Sequence, residues 1–178
     1  MDYFLNSYID EIKSKILDKE INFNNLCSKI KKLKKKNKII ICGNGGSSSI
    51  ASHVATDICK ELKIPAINFS DHNLITCFAN DYGFENWTKE TLKLFVYPGD
   101  LVILISSSGK SKNMLKAARF VKKNNNFLIT LTGFNKENPL SKLGDLNIWI
   151  DSKIYNFVEM AHHIILVAAV DKLSKKVL

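Results

Sequence analysis

Short, continuous apolar runs alternate along this chain with longer segments of helical periodicity. Runs without polar alternation are typical of parallel strands that helices cover on both faces of a sheet. We predict four such strands and a weaker fifth, at Ile39–Cys42, Leu101–Ile105, Phe127–Leu131, Leu146–Ile150 and, more weakly, Ala66–Phe69. Their alternation with helices predicts a doubly wound α/β fold.

Helical spacing of apolar residues marks the segments around these strands. Before the first strand the pattern predicts two helices with a break near Asn22–Asn25. Later helices are predicted at Ser48–Leu62, Asn73–Ala79, Asn86–Phe95, Ser111–Lys123 and Tyr155–Leu173. Because the chain shows no internal repeat and no linker composition, we predict one domain over residues 1–178. Residues 1–37 would be a helical extension used in oligomer packing, and residues 38–178 the α/β core.

Composition narrows the class of protein. Hydrophobic residues make up 46% of the 178 residues, enough for a substantial core. The longest apolar run, Ile164–Val170, is far shorter than the roughly 20 residues that span a membrane, and early charged residues argue against a signal peptide. The cysteines lack metal-binding spacing and lie among apolar residues, at positions Cys27, Cys42, Cys59 and Cys77. We expect buried, reduced thiols in a cytoplasmic protein.

The net charge of +9 raises the question of nucleic-acid binding. Arg119 is the only arginine, although arginine is the preferred side chain for reading guanine and for two-point phosphate contacts. Lysines are spread along the chain apart from a cluster at Lys29–Lys38, which we interpret as the solvated end of a helix. Nucleic acid is therefore disfavoured, and a basic protein of this kind would attract a phosphorylated metabolite.

Two loops that follow predicted strands are rich in small polar residues. GNGGSSS, residues 43–49, follows the first strand, and SSSGKSKN, residues 106–113, follows the strand at Leu101–Ile105. Glycine allows close approach of the backbone to a ligand, and serine hydroxyls and helix N-terminal amides donate to an anion. Serines in either loop alone are equally compatible with ordinary helix caps. Two such loops at strand ends of one sheet favour a phosphomonoester site. Neither loop matches a nucleotide-binding motif, so we expect no nucleotide and no redox cofactor.

Two predicted helices each carry a carboxylate and a histidine four residues apart, which places the two side chains on one face. His53 and Asp57 form one pair, and Glu159 and His163 form the other. Such a set suits general acid–base proton transfer or binding of a divalent ion. A core histidine at position 53 and a solvated Asp57 are the structural alternatives. His162 and His163 cannot share a helix face, so at least one of them should be structural.

Three stretches of the chain, GNGGSSSIASH, ANDYGF and ISSSGKSKN, together resemble the SIS (sugar isomerase) domain family and, within it, the phosphoheptose isomerase branch. The resemblance runs from about Ile39 to the final helix. It implies a five-stranded parallel sheet with flavodoxin-like winding and a homotetramer with active sites between subunits. It also implies conversion of sedoheptulose 7-phosphate to D-glycero-D-manno-heptose 7-phosphate for bacterial surface polysaccharide (lipopolysaccharide or capsule).

The resemblance further implies roles for individual residues. The serines that match the family's phosphate site are Ser106, Ser107, Ser108 and Ser111. The expected sugar contacts are Asn44, Gly45, Gly46, Ser47, Asp81 and Glu159. Asp57 would be the catalytic base, with His163 or Glu159 as its partner. A zinc-like divalent ion is expected at His53, Asp57, Glu159 and His163.

Three positions depart from the family pattern. The glutamate of the first helix is Asp57, the glutamine of the final helix is Glu159, and the histidine eight residues later is Val167, which can neither transfer a proton nor bind a metal. In one outcome His163, four residues after Glu159 and about 40° around the helix, replaces the missing histidine. In the other, the chain has lost isomerase chemistry and is a sugar-phosphate-binding or regulatory protein-binding module.

Overall fold

A five-stranded parallel sheet forms the centre of the computed structural model, which describes residues 3–17 and 21–175. The strands are β1 (Ile39–Cys42), β2 (Ala66–Asn68), β3 (Leu101–Ser106), β4 (Phe127–Thr132) and β5 (Leu146–Trp149). Their order is β2-β1-β3-β4-β5, and every neighbouring pair is parallel. This order confirms the predicted doubly wound sheet. The remaining residues of the predicted single domain, 1–2, 18–20 and 176–178, lie outside the described residues.

Seven α-helices surround the sheet in the described part of the chain. They are α1 (Tyr3–Ile16), α2 (Phe23–Lys31), α3 (Gly46–Asp57), α4 (His72–Tyr82), α5 (Trp87–Phe95), α6 (Lys112–Lys123) and α7 (Tyr155–Leu173). The helix predicted at Ser48–Leu62 begins two residues earlier, and its last part is a π-helical turn, Ile58–Leu62.

Two details of the N-terminal region differ from the prediction. The break between α1 and α2 includes Asn22 but not Phe23–Asn25 of the predicted region, because α2 already begins at Phe23. The lysine cluster is only partly a helix end, since α2 ends at Lys31 and the later lysines lie in the connection to β1.

The sheet is buried on both faces because its central strands are apolar at every position. All residues of β1 and β3 are buried. Ile41 and Ile103 pack with apolar residues of α2, α3 and α7, whereas Ile40 and Leu104 pack with residues of α5 and α6. Full burial of each such side chain stabilises the fold by about 1.5–3 kcal/mol. The helices that follow β1 and β3 therefore leave the sheet on opposite faces, and the crevice between them is where doubly wound folds bind ligands.

The cysteines only partly follow the prediction. All four are free; Cys27 and Cys42 are buried, whereas Cys59 and Cys77 are exposed. The expectation of four buried thiols is therefore wrong for two of them, because Cys59 lies in the π-helical turn and Cys77 on the outer face of α4. Among the described residues, no helix is both long and apolar enough to cross a membrane.

Candidate functional site

The two small-residue loops lie side by side at one edge of the sheet. They follow β1 and β3, which are hydrogen-bonded neighbours with Cys42 opposite Leu104. Gly45 has a φ of 54°, a conformation that glycine adopts without strain, and α3 begins directly after it. The loops therefore lie at strand ends of one parallel sheet, as predicted from the sequence, and flank the crevice between α3 and α6.

The loop after β3 gathers the four predicted phosphate-binding serines into one turn. Ser106 and Ser111 are joined through their hydroxyls at 3.2 Å, and Ser108 Oγ accepts a hydrogen bond from the amide of Lys110 at 3.3 Å. Gly109, with a φ of 65°, allows the turn, and a side chain there would overlap Asn138. We define this turn, residues 106–111, as the serine loop.

Ser107 is the unusual member of the serine loop. Its side chain is 4% exposed, and its hydroxyl has no hydrogen-bond partner. A buried hydroxyl without a partner costs about 1–3 kcal/mol, so a position of this kind is suited to a ligand that accepts a hydrogen bond from it. The phosphate role of the serines stays a prediction, to which this unpartnered donor lends support.

The loop after β1 contacts both neighbouring elements of the crevice. Asn44 and Asn113 exchange two hydrogen bonds of 2.9 Å. Gly46 lies against the carboxylate of Glu159 on α7, and a methyl group at Gly46 would overlap it. Ser47 is 3% exposed, so its side chain faces the protein interior. The sugar-binding roles of Asn44, Gly45, Gly46 and Ser47 are not tested by these contacts.

The two carboxylate–histidine pairs meet because α3 packs against α7 on the same face of the sheet. His53 Nδ1 lies 2.8 Å from His163 Nε2, and His53 Nε2 lies 3.2 Å from Asp57 Oδ2. Asp57, His53 and His163 thus form one continuous chain of polar contacts, which we call the imidazole relay. Glu159 lies one turn before His163, beside the first loop.

The environment of the relay favours a neutral His163. Burial lowers the pKa of the His163 imidazole, the nearby His53 lowers it further, and Asp57 acts in the opposite direction. An ionised Asp57 favours a proton on His53 Nε2. His53 Nδ1 then has no proton and accepts a hydrogen bond from His163 Nε2. His163 Nδ1 is in turn the unprotonated nitrogen of the His163 ring.

The adjacent His162 has a structural role, as the helix geometry predicted for one of the two. It is fully buried, and its Nε2 lies 3.1 Å from the carbonyl oxygen of Thr132. Burial lowers its pKa to about 4, although the hydrogen bond to Thr132 acts in the opposite direction. Val167, which replaces the histidine of the family pattern, packs against the hydrophobic core. His163 is therefore the histidine of α7 that faces His53.

Asp81 stands apart from the other predicted site residues within this chain. It lies in the last turn of α4, where its carboxylate accepts hydrogen bonds from Asn80 at 3.0 Å and from Cys77 at 3.8 Å. These contacts stay within α4, so the described structure gives no link between Asp81 and the two loops. Its role as a sugar contact stays a prediction.

The four residues of the expected metal site do not form a ligand cluster in the described structure. Among the described residues, no group of three or more His, Cys, Asp and Glu side chains is placed to hold a metal ion. The facing nitrogens of His53 and His163 are hydrogen-bonded to each other, so one of them carries a proton and cannot coordinate a metal. In this arrangement the side chains do not fit zinc, and the predicted ion stays untested.

The family model described as SIS domain matches residues 7–133 of the chain. The chain belongs to the SIS domain family. Among its SIS relatives, the phosphoheptose isomerase of Fusobacterium nucleatum is 36% identical over 138 residues, which cover 74% of this chain and 70% of the relative. The phosphoheptose isomerase of Cytophaga hutchinsonii is 41% identical over 106 residues, and this match covers 57% of the chain and 56% of the relative. These relatives confirm the predicted branch and support the prediction of an isomerase.

The SIS fold is also found in solved structures that resemble this one. A phosphoheptose isomerase from Francisella tularensis superposes with a TM-score of 0.86 and 23% identity, covering 99% of this chain and all of that one. At this identity the likeness shows the fold alone.

Sequence reasoning missed the polar residues that join the elements of the SIS crevice. Asn113, 2% exposed, donates to Thr88 on α5 at 3.0 Å in addition to its pair with Asn44. Ser48 and Ser70 share a hydrogen bond of 2.9 Å between their hydroxyls. Asn113 is the last residue of the serine-rich motif SSSGKSKN, which was the only signal for it in the sequence.

Proposed function

We propose that this protein is a phosphosugar isomerase that converts sedoheptulose 7-phosphate to D-glycero-D-manno-heptose 7-phosphate. The observation that carries the proposal is the imidazole relay: His53 lies on α3, the helix that follows the first loop, and His163 lies one turn after Glu159, which contacts that loop. Relatives named phosphoheptose isomerase support the choice of substrate. The same proposal includes production of heptose for surface polysaccharide. It also includes a cytoplasmic location, which is in keeping with four free thiols.

The serine loop would hold the phosphate. Hydroxyls of Ser106, Ser107, Ser108 and Ser111 surround a turn that leads into α6, whose N-terminal amides and dipole favour a dianion. Ser107 has a buried hydroxyl free to donate. This end of the substrate does not react, so its contacts would anchor the sugar equally before and during the reaction.

The relay would move the protons of the reaction. In the ketose-to-aldose direction a base removes a proton from C1, and the C2 carbonyl oxygen gains one to give an enediol. Return of a proton to C2 and loss of one from O1 give the aldehyde. No electrons leave the sugar, so no redox cofactor is required.

We assign the base to His163 Nδ1, and Asp57 would stabilise the imidazolium through His53. The sequence placed the base at Asp57; within the relay Asp57 supports the base instead of touching the substrate. Glu159, on the same helix as His163 and beside the first loop, would exchange protons with the sugar oxygens. Zinc at these residues is kept as a condition to test, with no step assigned to it.

An oligomer is part of the proposal. Tyr3, Phe4, Leu5 and Ile9 of α1 are between 51% and 86% exposed, and Ile12 is the one buried residue of that helix in the described structure. Large exposed apolar side chains concentrated at one helix end favour a partner surface. We propose that residues 1–37 pack against further copies of the chain, as a homotetramer. Sedimentation of the wild type and of an Ile9→Glu variant tests this, because the variant should dissociate.

The test of function is incubation of purified protein with sedoheptulose 7-phosphate, with and without zinc, followed by detection of the aldose. Formation of heptose 7-phosphate is the expected result, and hexose and pentose phosphates assayed in parallel define the substrate range. Saturable binding of sugar phosphates without conversion would contradict the isomerase and favour the binding module that Val167 suggested. Absence of both binding and conversion would reject a sugar-phosphate function altogether.

A further inference from the structure

We infer that Asn113 is a positioning residue that fixes the phosphate half and the sugar half of the crevice at one separation. The inference rests on the proposed function, because it assigns the serine loop to phosphate and the first loop to sugar. Asn113 touches neither proposed ligand group; it acts through Asn44, its partner in the first loop.

The position of Asn113 in the fold makes such a link necessary. β1 and β3 are neighbours, but the helices that follow them pack on opposite faces of the sheet, so the two loops diverge where the strands end. Asn113 lies in the first turn of α6, directly after the serine loop. Its pair with Asn44 therefore crosses the crevice between the loops.

The contacts of Asn113 leave its amide little freedom. Its Nδ2 donates to Asn44 Oδ1 at 2.9 Å and to Thr88 Oγ1 at 3.0 Å, and its Oδ1 accepts from Asn44 Nδ2 at 2.9 Å. Asn113 is 2% exposed and Thr88 is fully buried, so water cannot readily replace these bonds. The hydrogen bond to Thr88, on α5, fixes the orientation of the Asn113 side-chain amide in which it can pair with Asn44. Asn44 gives one donor and its acceptor to this pair.

Loss of Asn113 should affect the affinity for a whole sugar phosphate more than the affinity for phosphate alone. Inorganic phosphate needs only the serine loop, whereas sedoheptulose 7-phosphate must span both loops. Calorimetric titration with each compound should show that Asn113→Ala weakens sedoheptulose 7-phosphate about tenfold and inorganic phosphate less than twofold. Asn44→Ala should do the same. The double variant should be no weaker than either single variant, because the pair acts as one unit.

Asn124→Ala is the matched control. Asn124 follows the last turn of the same helix, donates a hydrogen bond of 2.8 Å to the carbonyl of Phe120 and lies at the far end from the crevice. Its replacement should leave both affinities unchanged.

Three results would overturn the inference. The first is equal weakening of both compounds by Asn113→Ala. The second is an additive loss of affinity in the double variant, which is expected if Asn44 contacts the sugar independently. The third is a wild type that binds sedoheptulose 7-phosphate no better than inorganic phosphate. If Asn113→Ala does not fold, Thr88→Val, which removes the hydrogen bond that orients the Asn113 amide, decides by the same ratio of affinities. Tight binding without turnover in the wild type would reject the isomerase while leaving this inference intact.

Discussion

His163, on α7, faces His53, on α3, with 2.8 Å between His163 Nε2 and His53 Nδ1 and an angle of 83° between the ring planes. If His163 is the base, His163→Ala should lower kcat by about 100-fold or more, the usual contribution of a general base. The KM for sedoheptulose 7-phosphate should change little, because the phosphate contacts remain. Steady-state kinetics measure both constants.

His72→Ala is the control for this change, because His72 is an exposed histidine at the start of α4 and should leave kcat unaltered. An active His163→Ala variant would remove His163 from the mechanism and return the assignment of the base to Asp57.

Replacement of Ser107 should affect binding and stability in different ways. Its buried hydroxyl has no partner in the structure, so Ser107→Ala removes a polar group that gains nothing from folding. We expect an unchanged or higher Tm, together with about tenfold weaker binding of inorganic phosphate. Thermal unfolding and calorimetric titration provide the two values.

Ser141→Ala is the matched comparison for Ser107→Ala. Ser141 Oγ donates to the carbonyl oxygens of Lys136 and Asn138, at 2.9 and 2.8 Å, outside the crevice. This variant should therefore lower Tm without changing phosphate affinity. A lower Tm for Ser107→Ala, with phosphate binding intact, would show that its hydroxyl serves the fold and not a ligand.

A substitution at Gly46 tests the role of Glu159 without changing the Glu159 side chain itself. A methyl group at Gly46 overlaps the Glu159 carboxylate, which is the flexible end of that side chain and can move away. Alanine also suits the first turn of α3 better than glycine does. Gly46→Ala should therefore fold normally and lower kcat about tenfold, as Glu159→Ala should.

The double variant Gly46→Ala with Glu159→Ala should be no slower than Glu159→Ala alone, since the group that the methyl displaces is already absent. Circular dichroism checks the fold of each variant. Additive losses in kcat would mean that Gly46 acts on the substrate directly and that Glu159 is not the group displaced.

The sheet and its two loops could be predicted because their signals are local. An uninterrupted run such as Ile39–Cys42, rich in β-branched residues and followed by glycines, favours a short strand covered on both faces, and the small polar residues after it then lie at the strand end. The sequence allowed contact between His53 and His163 but did not predict it. The contact depends on how α3 packs against α7, because the two histidines are 110 residues apart in the chain.

Other features left no pattern that could be read from the sequence. The pairing of Asn44 with Asn113 depends on rotamers and on the gap between two diverging helices. Exposure of Cys59 follows from the π-helical turn, which shifts the residues at the end of α3 relative to an ordinary helix. Neighbouring apolar residues therefore did not reveal which cysteines would be buried.

Thiol reactivity should divide the four cysteines into two classes. Burial raises the pKa of Cys42 to about 12, and burial also raises the pKa of Cys27, partly offset by the charge of Lys172. Cys59 and Cys77 are exposed. Titration of the native protein with an aromatic disulfide reagent should therefore modify two thiols rapidly, and the denatured protein should show all four.

The variants Cys59→Ser and Cys77→Ser identify the reactive pair, since each should remove one rapidly reacting thiol from the native count. Rapid reaction of a third thiol in the native protein would contradict the burial of Cys27 and Cys42.

Asp100 should make the fold sensitive to acid. Its side chain is 2% exposed and accepts hydrogen bonds from Lys38 Nζ at 2.6 Å and from the amides of Lys38 and Tyr97 at 3.0 and 2.9 Å. Burial alone would raise the pKa of Asp100, but the hydrogen bonds from Lys38, Tyr97 and Asn37 outweigh it and lower the pKa below its usual value. The carboxylate therefore stabilises the fold above the pKa of an unfolded aspartate, near 3.9, and loses this effect as the pH falls through the lower, folded pKa.

Asp100→Asn should cost about 2–3 kcal/mol of unfolding free energy at pH 7, since hydrogen bonds to a charged group are replaced by weaker ones and Lys38 loses its counter-ion. The difference from the wild type should shrink as the pH falls below about 3.9, because the unfolded wild-type chain then binds a proton at Asp100 that the folded protein, with its lower pKa, binds only at still lower pH. Urea unfolding at pH 7 and at pH 3 measures both differences. A destabilisation of equal size at the two pH values would show that the asparagine acts through packing and that the charge of Asp100 contributes nothing.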